Sequence, residues 1–437
     1  MWNHPRGAAP GAAACSRLGA VVGKWLMAVG VVALVATATA CSSGGAGPAP
    51  AGKTAKVTLT YGVSDPNQVP VMKKIATAFT ASHPNVSVSV QLTPYNTYYT
   101  KLQVAATGGQ APDVFWLNGP NFQLYASNGM LAALKIDTSA YPAALVKLYQ
   151  YNGKQFGVPK DFDTIGLWYN KKIFDAAGMK YPTAQWTWSD VQSAAKKLTN
   201  PTKGIYGLGA VPSGQENFYN TVYQAGGYII SPDHKRSGYA DPKTIKGLKF
   251  WTDLIQAHYS PTMQQMTDTP PLQMFESGKL AMFYGGDWNA VAFASNANTR
   301  NSVDVTVMPA GEKRATVIHG LANVVFARTK YPEQAKEFAQ FLGSKQAAEI
   351  QGSSGIVIPA YNGTQEGWVK AFPQYHLQSF LDELAYSVPF PISKNTAAWN
   401  TLETDLLTKA WSGSEPVDQA AKELAAEMNQ DLAKEGK

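Results

Sequence analysis

From residue 57 onward, apolar side chains recur with two different periods, and the switching between them outlines the elements. Val57, Leu59 and Tyr61 stand at every second residue, as on a strand with one buried face. Met72, Ile75, Ala76 and Phe79 then recur at three- and four-residue steps, as on one face of a helix, before Val86, Val88, Val90 and Leu92 return to a period of two. Strand, helix and strand in that order predict a β-α-β unit, whose parallel strands send their loops to one edge of a sheet. Helical spacing resumes in Tyr98, Leu102 and Ala105 and closes at Gly108-Gly109. Residues 112–117 (PDVFWL) make a short buried strand leading to Asn118-Gly119-Pro120, with Asp113 ahead of the apolar run in a structural role, pairing with backbone amides. Residues 122–128 form a helix for which Gly129 supplies the left-handed end. The expected first lobe is an α/β open sheet.

Further along, residues 153–159 (GKQFGVP) have hairpin chemistry, and residues 160–170 (KDFDTIGLWYN) are extended, with Ile165, Leu167 and Tyr169 alternating. A passage between lobes is placed at residues 161–164. Trp188-Ser189-Asp190 opens a helix running to Leu198, and Asp241-Pro242 opens another reaching about residue 257. A short helix over residues 272–278 and a strand over 279–284 lead into Gly285-Gly286-Asp287-Trp288-Asn289, a glycine-led turn where other groups can approach the backbone closely. Residues 303–308 and 321–326 read as strands and 333–342 as a helix, and the last hundred residues as mainly helical.

The chain ahead of residue 57 is of another kind. Arg6, Arg17 and Lys24 occur with no acidic residue, followed by an uncharged, mostly apolar run over residues 25–40. That is the layout of a secretory signal, and the run falls short of the roughly 20 residues a membrane-spanning helix needs. Ala38-Thr39-Ala40-Cys41 resembles a bacterial lipobox, at which the signal is cut and the cysteine acylated, although Ala38 departs from the commoner Leu or Val. The plainer alternative is a chance cysteine at the end of a removed signal. Residues 42–56 (SSGGAGPAPAGKTAK) have nothing to bury and suit a flexible tether.

Processing at Cys41 changes what the composition allows. Cys15 would leave with the signal and Cys41 would be acylated, so the mature body would hold no disulfide, thiolate nucleophile or cysteine-ligated metal. The whole chain carries a formal charge of +7, and losing three of its 37 basic residues with the signal leaves +4. With 15% charged residues and no Lys/Arg block, the electrostatic footprint of nucleic-acid binding is missing. About 380 residues remain, long for one core and comfortable for two lobes.

Several landmarks then coincide in order: the lipobox-like end, YNTYYTKLQVAATGGQAPDVFW at 95–116, GVPKDFDTIGLWYNKKIF at 157–174, FESGKLAMFYGGDWN at 275–289 and EQAKEFAQFL at 333–342. Together they resemble the family 1 extracellular solute-binding proteins, the maltose-binding-protein-like group, over about residues 56–430. The resemblance implies an α/β, two-lobed periplasmic-binding-protein-like fold of class II, each lobe a central sheet flanked by helices. It implies three passages between lobes, near residues 161–164, 309–316 and 342–352. The expected organisation is a signal peptide (1–40), a lipidated tether (41–56), a first lobe from 57–162 with 312–346, and a second from 163–311 with 347–437. The expected partners are a sugar ligand, the transmembrane subunits of an ABC permease and the membrane through lipidated Cys41, with no nucleic acid and a monomeric body. Neither a cofactor nor a metal is expected.

A sugar offers a weakly polar C–H face and a rim of hydroxyls, so its site needs flat aromatics to stack and fixed polar groups to pair. The chain has 11 Trp, of which Trp2 and Trp25 fall in the signal, and 21 Tyr. By the resemblance, Trp288 stands where the family places an aromatic platform on the second lobe; its plainer role is a core tryptophan. Asp287 beside it is a ligand candidate that could instead cap the following helix, and Gly286 completes the turn. Asp163 matches a position where relatives direct a polar side chain at ligand hydroxyls, against a plainer role in hinge hydrogen bonding. Asp161 would face the same side of an extended segment. On the first lobe, Asp65 and Asn67 follow the first strand, and Trp116 and Asn118 follow the PDV strand, so both loops are expected to open onto the cleft. Tyr95 and Asn96 lie in the next loop. His319, before the Leu321 strand, and Gln215 on a second-lobe loop complete the candidates. Residues 353–361 (SSGIVIPAY) lack the arginine that relatives often carry near the third passage, which puts a clamp for charged sugars in doubt.

Two rivals remain at this level. The same fold could take a polyamine, amino acid, peptide or iron; adjacent Tyr98-Tyr99 would suit iron, but the helical spacing of Tyr98 with Leu102 favours packing. A secreted glycoside-active enzyme could use Asp161 and Asp163 as acid and base. No HExxH or GxSxG pattern is present, and His83, His234, His258, His319 and His376 have no metal-ligand spacing.

Overall fold

Two sheets organise the chain in a computed structural model that describes residues 56–435. The signal, the lipobox with Cys41 and all but the last residue of the tether lie outside the described residues. The first sheet runs, edge to edge, Val86–Leu92, Val57–Val63, Val114–Asn118, Leu321–Val325, Gly157–Pro159. Its first three strands are parallel, as the β-α-β reading requires, with Val57 opposite Val86 and Tyr61 opposite Val114. The connecting helix Val69–Ser82 buries Met72, Ile75, Ala76 and Phe79, the residues whose spacing predicted it. Phe79 meets Phe338 of the Pro332–Leu342 helix at 5.0 Å between ring centres. Asp113 accepts the Thr60 backbone N–H at 2.8 Å, the structural role expected of it.

The second sheet runs Val303–Val307, Ile165–Asn170, Leu280–Gly286, Tyr206–Leu208, with Ile165–Asn170 antiparallel to both neighbours. All six residues of Ile165–Asn170 are buried, where alternation of three had been expected. Both faces are covered: Trp168 packs on Phe293 at 4.8 Å, and a Cβ at Gly166 would stand 2.8 Å from Val305. The hairpin turn is also earlier than its expected place. Asn152 and Gly153, with φ of 46° and 72°, join Gln150–Tyr151 to Lys154–Gln155, and Gly157–Pro159 leaves to join the first sheet.

Residues 160–164 carry the chain from the first sheet to the second. On the way back, Thr316–Ile318 pairs with Ser387–Pro389 and not with the first sheet. Helix Lys345–Gly352 packs on Val69–Ser82, and Gln351 Nε2 donates to the Lys160 carbonyl at 3.0 Å, so the first lobe continues past residue 346. The chain leaves it after Gly352, and Ile358–Pro359 then pairs with Asp161–Phe162, strapping one passage to another. Helices Thr396–Trp411 and Val417–Glu435 pack together and against Pro242–Gln256 on the second lobe. Among the described residues no helix is long and apolar enough to cross a membrane.

Candidate ligand-binding site

The loops at the strand ends of both sheets, together with the 160–164 passage, enclose a cavity of about 530 Å³. Asp65, Tyr95, Tyr99 and Asn118 reach its wall from the first lobe, and Gln215, Asp287 and Trp288 from the second. Asp161 and Asp163 come from the passage itself, with His319 beside them.

Two aromatics in this wall keep open faces: Tyr95 is 65% exposed and Trp288 36%. Gly286 makes the second possible. A Cβ there would sit 1.9 Å from the Trp288 ring, so only glycine lets the indole fold back over the turn. Gly286 itself does not line the cavity; it seats the residue that does.

The carboxylates differ in how they are held. Asp161 accepts hydrogen bonds from the Lys160 ammonium and, at 2.8 Å, from the Leu321 backbone N–H. Lys160 also donates to Gln68 Oε1 at 2.6 Å and lies 4.3 Å from the centre of the Trp116 ring. Gln68 in turn donates to Asp65 Oδ2 at 3.0 Å, while Asp65 Oδ1 takes the Asn67 backbone N–H at 2.9 Å. Asp163 accepts from Gln215 Nε2 at 2.7 Å and lies 3.7 Å from His319 Nδ1.

Asp287 is 1% exposed, and its Oδ1 has no partner. The helix after it begins at Asn289, and the carboxylate makes no capping bond to it. Burial first, then the negative charges of Asp163 and Asp161, push the Asp287 carboxyl well above the usual carboxylate range. Glu216, next to Gln215, is pushed up to about 7 by burial, with a hydrogen bond from Ser213 opposing and the Asp163 charge adding to it. Two further wall atoms are buried without a partner, Tyr99 Oη and His319 Nε2. A buried polar atom with no protein partner is costly unless something else satisfies it. Three of them around one cavity mark where a polar ligand would bond.

Some sequence candidates do not meet there. Trp116 is a correction: it is fully buried, its Nε1 donating to Tyr61 Oη at 2.7 Å. It stands two residues before the end of a strand covered on both faces, so only Asn118 at the tip reaches the cleft. Even Asn118 is partly occupied, since its Oδ1 caps the next helix at the Asn121 N–H, 3.2 Å away. Asn67 and Asn96 are exposed and lie outside the wall. Asn67 is turned by the Asp65 bond to its backbone, and Asn96 is about 100° round its helix from Tyr95. Tyr98 packs as expected, its hydroxyl bonding the Trp116 carbonyl at 2.9 Å.

Lys160 escaped the sequence reading, its one signal being a cation directly before Asp161. Tyr99 entered it only beside Tyr98, as a pair that would suit iron, and not as part of a sugar site.

A body of two α/β lobes joined by strapped passages, with one walled cavity taking side chains from both, has the architecture of a periplasmic-type solute-binding protein. The family model for bacterial extracellular solute-binding proteins matches residues 64–349, more than half of the chain, and the protein belongs to that family. It is similar to the diacetylchitobiose binding protein of Streptomyces coelicolor, 25% identical over 435 residues, covering 94% of this chain and 99% of that one. It is also similar to a maltooligosaccharide ABC transporter solute-binding lipoprotein of Streptococcus pneumoniae, 24% identical over 336 residues, covering 74% of this chain and 76% of the relative. Among solved structures, an ABC substrate-binding protein from Listeria monocytogenes in complex with cycloalternan superposes with a TM-score of 0.79 at 28% identity, covering 86% of this chain and 99% of that chain.

Proposed function

We propose that this protein is the extracytoplasmic, lipid-anchored solute receptor of an ABC importer and takes a mono- or oligosaccharide into the inter-lobe cavity. The observation that carries the reading is the wall itself: open aromatic faces on Tyr95 and Trp288 beside three buried, unpartnered polar atoms. Aromatic faces stack on the C–H surface of a sugar, and the unpartnered atoms answer its hydroxyls. The sugars named for the relatives, and the cycloalternan held by the Listeria protein, are consistent with this. Ligand favours closure of the lobes because only a closed cleft brings Tyr95 and Trp288 to the same molecule. Membrane attachment runs through acylated Cys41, and the closed form docks on the permease.

Thermal-shift screening of the purified body against mono- and oligosaccharides tests the reading. A saccharide raises the melting temperature by linkage; a flat response to every sugar, with a shift on adding an amino acid or peptide, would overturn it. For the anchor, Cys41→Ser in the producing cell is expected to release the protein from the membrane fraction, and retention of the variant would count against lipidation.

A further inference from the structure

Apart from His319 and the phenols of Tyr95 and Tyr99, every ionisable side chain in the cavity wall is a carboxylate, namely Asp65, Asp161, Asp163 and Asp287. No lysine or arginine reaches the wall. The cation behind it, Lys160, is committed to Asp161 and Gln68. Asp65 is satisfied by the Asn67 N–H and the Gln68 amide, and Asp163 by the Gln215 amide, all neutral donors. Asp287 has an unpartnered oxygen although the residue is 1% exposed, and His319, 8% exposed, also has an unpartnered ring nitrogen in the wall. Lys160 is therefore the one fixed cation beside four carboxylates, with His319 3.7 Å from Asp163, and the most buried of the four has an oxygen with no partner at all.

We propose that the saccharide this cavity selects carries a protonated amine, seated against Asp287 and Asp163. This rests on the sugar reading above. A hydroxyl can donate one hydrogen bond to Asp287 but leaves the negative field unchanged, whereas an ammonium brings three donors and the missing charge. Trp288 follows Asp287 directly and offers a ring for the sugar face with room for a cation–π contact, so amine and pyranose face are read at adjacent positions. Burial and the Asp163 and Asp161 charges push the Asp287 carboxyl well above the usual carboxylate range, opposed by the backbone N–H groups of Asp287 and Ile358. Asp65, Glu216, His319, Tyr95 and Tyr99 are the other titratable groups around it. An arriving cation acts against that push and favours the carboxylate.

Calorimetry at mildly acidic pH tests this with glucosamine, N-acetylglucosamine and glucose, and with the α-1,4- and β-1,4-linked trimers of each. The amine form of at least one series is expected to bind about tenfold or more tighter than its acetylated and hydroxyl counterparts. Asp287→Asn and Asp163→Asn, each checked for folding by circular dichroism, should both abolish the preference. An acetylated or plain sugar that binds as tightly as the amine overturns the inference and leaves the sugar reading standing. Binding of spermidine with no response to any sugar overturns both together.

Discussion

Trp288 depends on a residue that does not line the cavity. Its ring occupies the space a Cβ on Gly286 would need, so Gly286→Ala should displace the indole as effectively as removing it. We expect Trp288→Ala to weaken ligand binding by about 1–3 kcal/mol, the range for a well-buried aromatic contact. Gly286→Ala should cost a similar amount, and the double variant little more than either, as calorimetry would record. Additive losses would show that Gly286 acts elsewhere. Lys160 makes a different case. Its side chain and that of Asp161 are 2% and 7% exposed, so removing the cation strands a buried carboxylate. Lys160→Met should destabilise the fold by about 3–5 kcal/mol in urea, and adding Asp161→Asn should restore most of it.

Among the elements, helix Thr396–Trp411 brings a carboxyl group into the core. Glu403 on this helix is buried and accepts hydrogen bonds from the hydroxyls of Tyr239 and, at 2.7 Å, Tyr219. Burial outweighs both bonds and pushes the carboxyl up to about 8 from 4.5. A folded-state value above the unfolded one means that the folded protein holds a proton the unfolded chain releases. That contribution to stability is full below about pH 4.5 and is lost as pH rises through about 8. The melting temperature should therefore fall across this window, and Glu403→Gln should flatten the slope; an unchanged slope would assign it to other groups. At the Trp188–Leu198 helix, Thr187 and Asp190 form a reciprocal capping box, and Thr187→Ala should cost about 1 kcal/mol in chemical denaturation.

For the whole molecule, the passages are what join one lobe to the other. Ile358–Pro359 pairs with Asp161–Phe162, and Asp163 pairs with His319, so three stretches of chain lie side by side beneath the cavity. Gly320 sits between them where a Cβ would be 2.2 Å from the Asp161 carbonyl. Gly320→Val should part these stretches and weaken binding without touching Trp288 or Asp287. The closure proposed above should appear in small-angle scattering as a smaller radius of gyration with saturating sugar, and a constant radius would rule it out.

The periods of two and three to four determined most elements on their own, because a strand or helix must bury one face whatever it packs against. A strand end followed by a polar loop likewise brought out Asp65, since loops after parallel strands gather at one edge of a sheet, whereas Asp163 and Trp288 came from the family resemblance. What alternation could not convey was how many faces a strand buries. Ile165–Asn170 is covered on both, and Trp116 lies one pleat too far inside to see the cleft. Only the tertiary structure decided which polar groups are already satisfied: Asp161 is held by Lys160 and Leu321, Asn118 by its helix, while Asp287, Tyr99 and His319 keep an atom free. Those pairings cross between segments as far apart as residues 161 and 321, and a local pattern has no term for a partner supplied by distant chain.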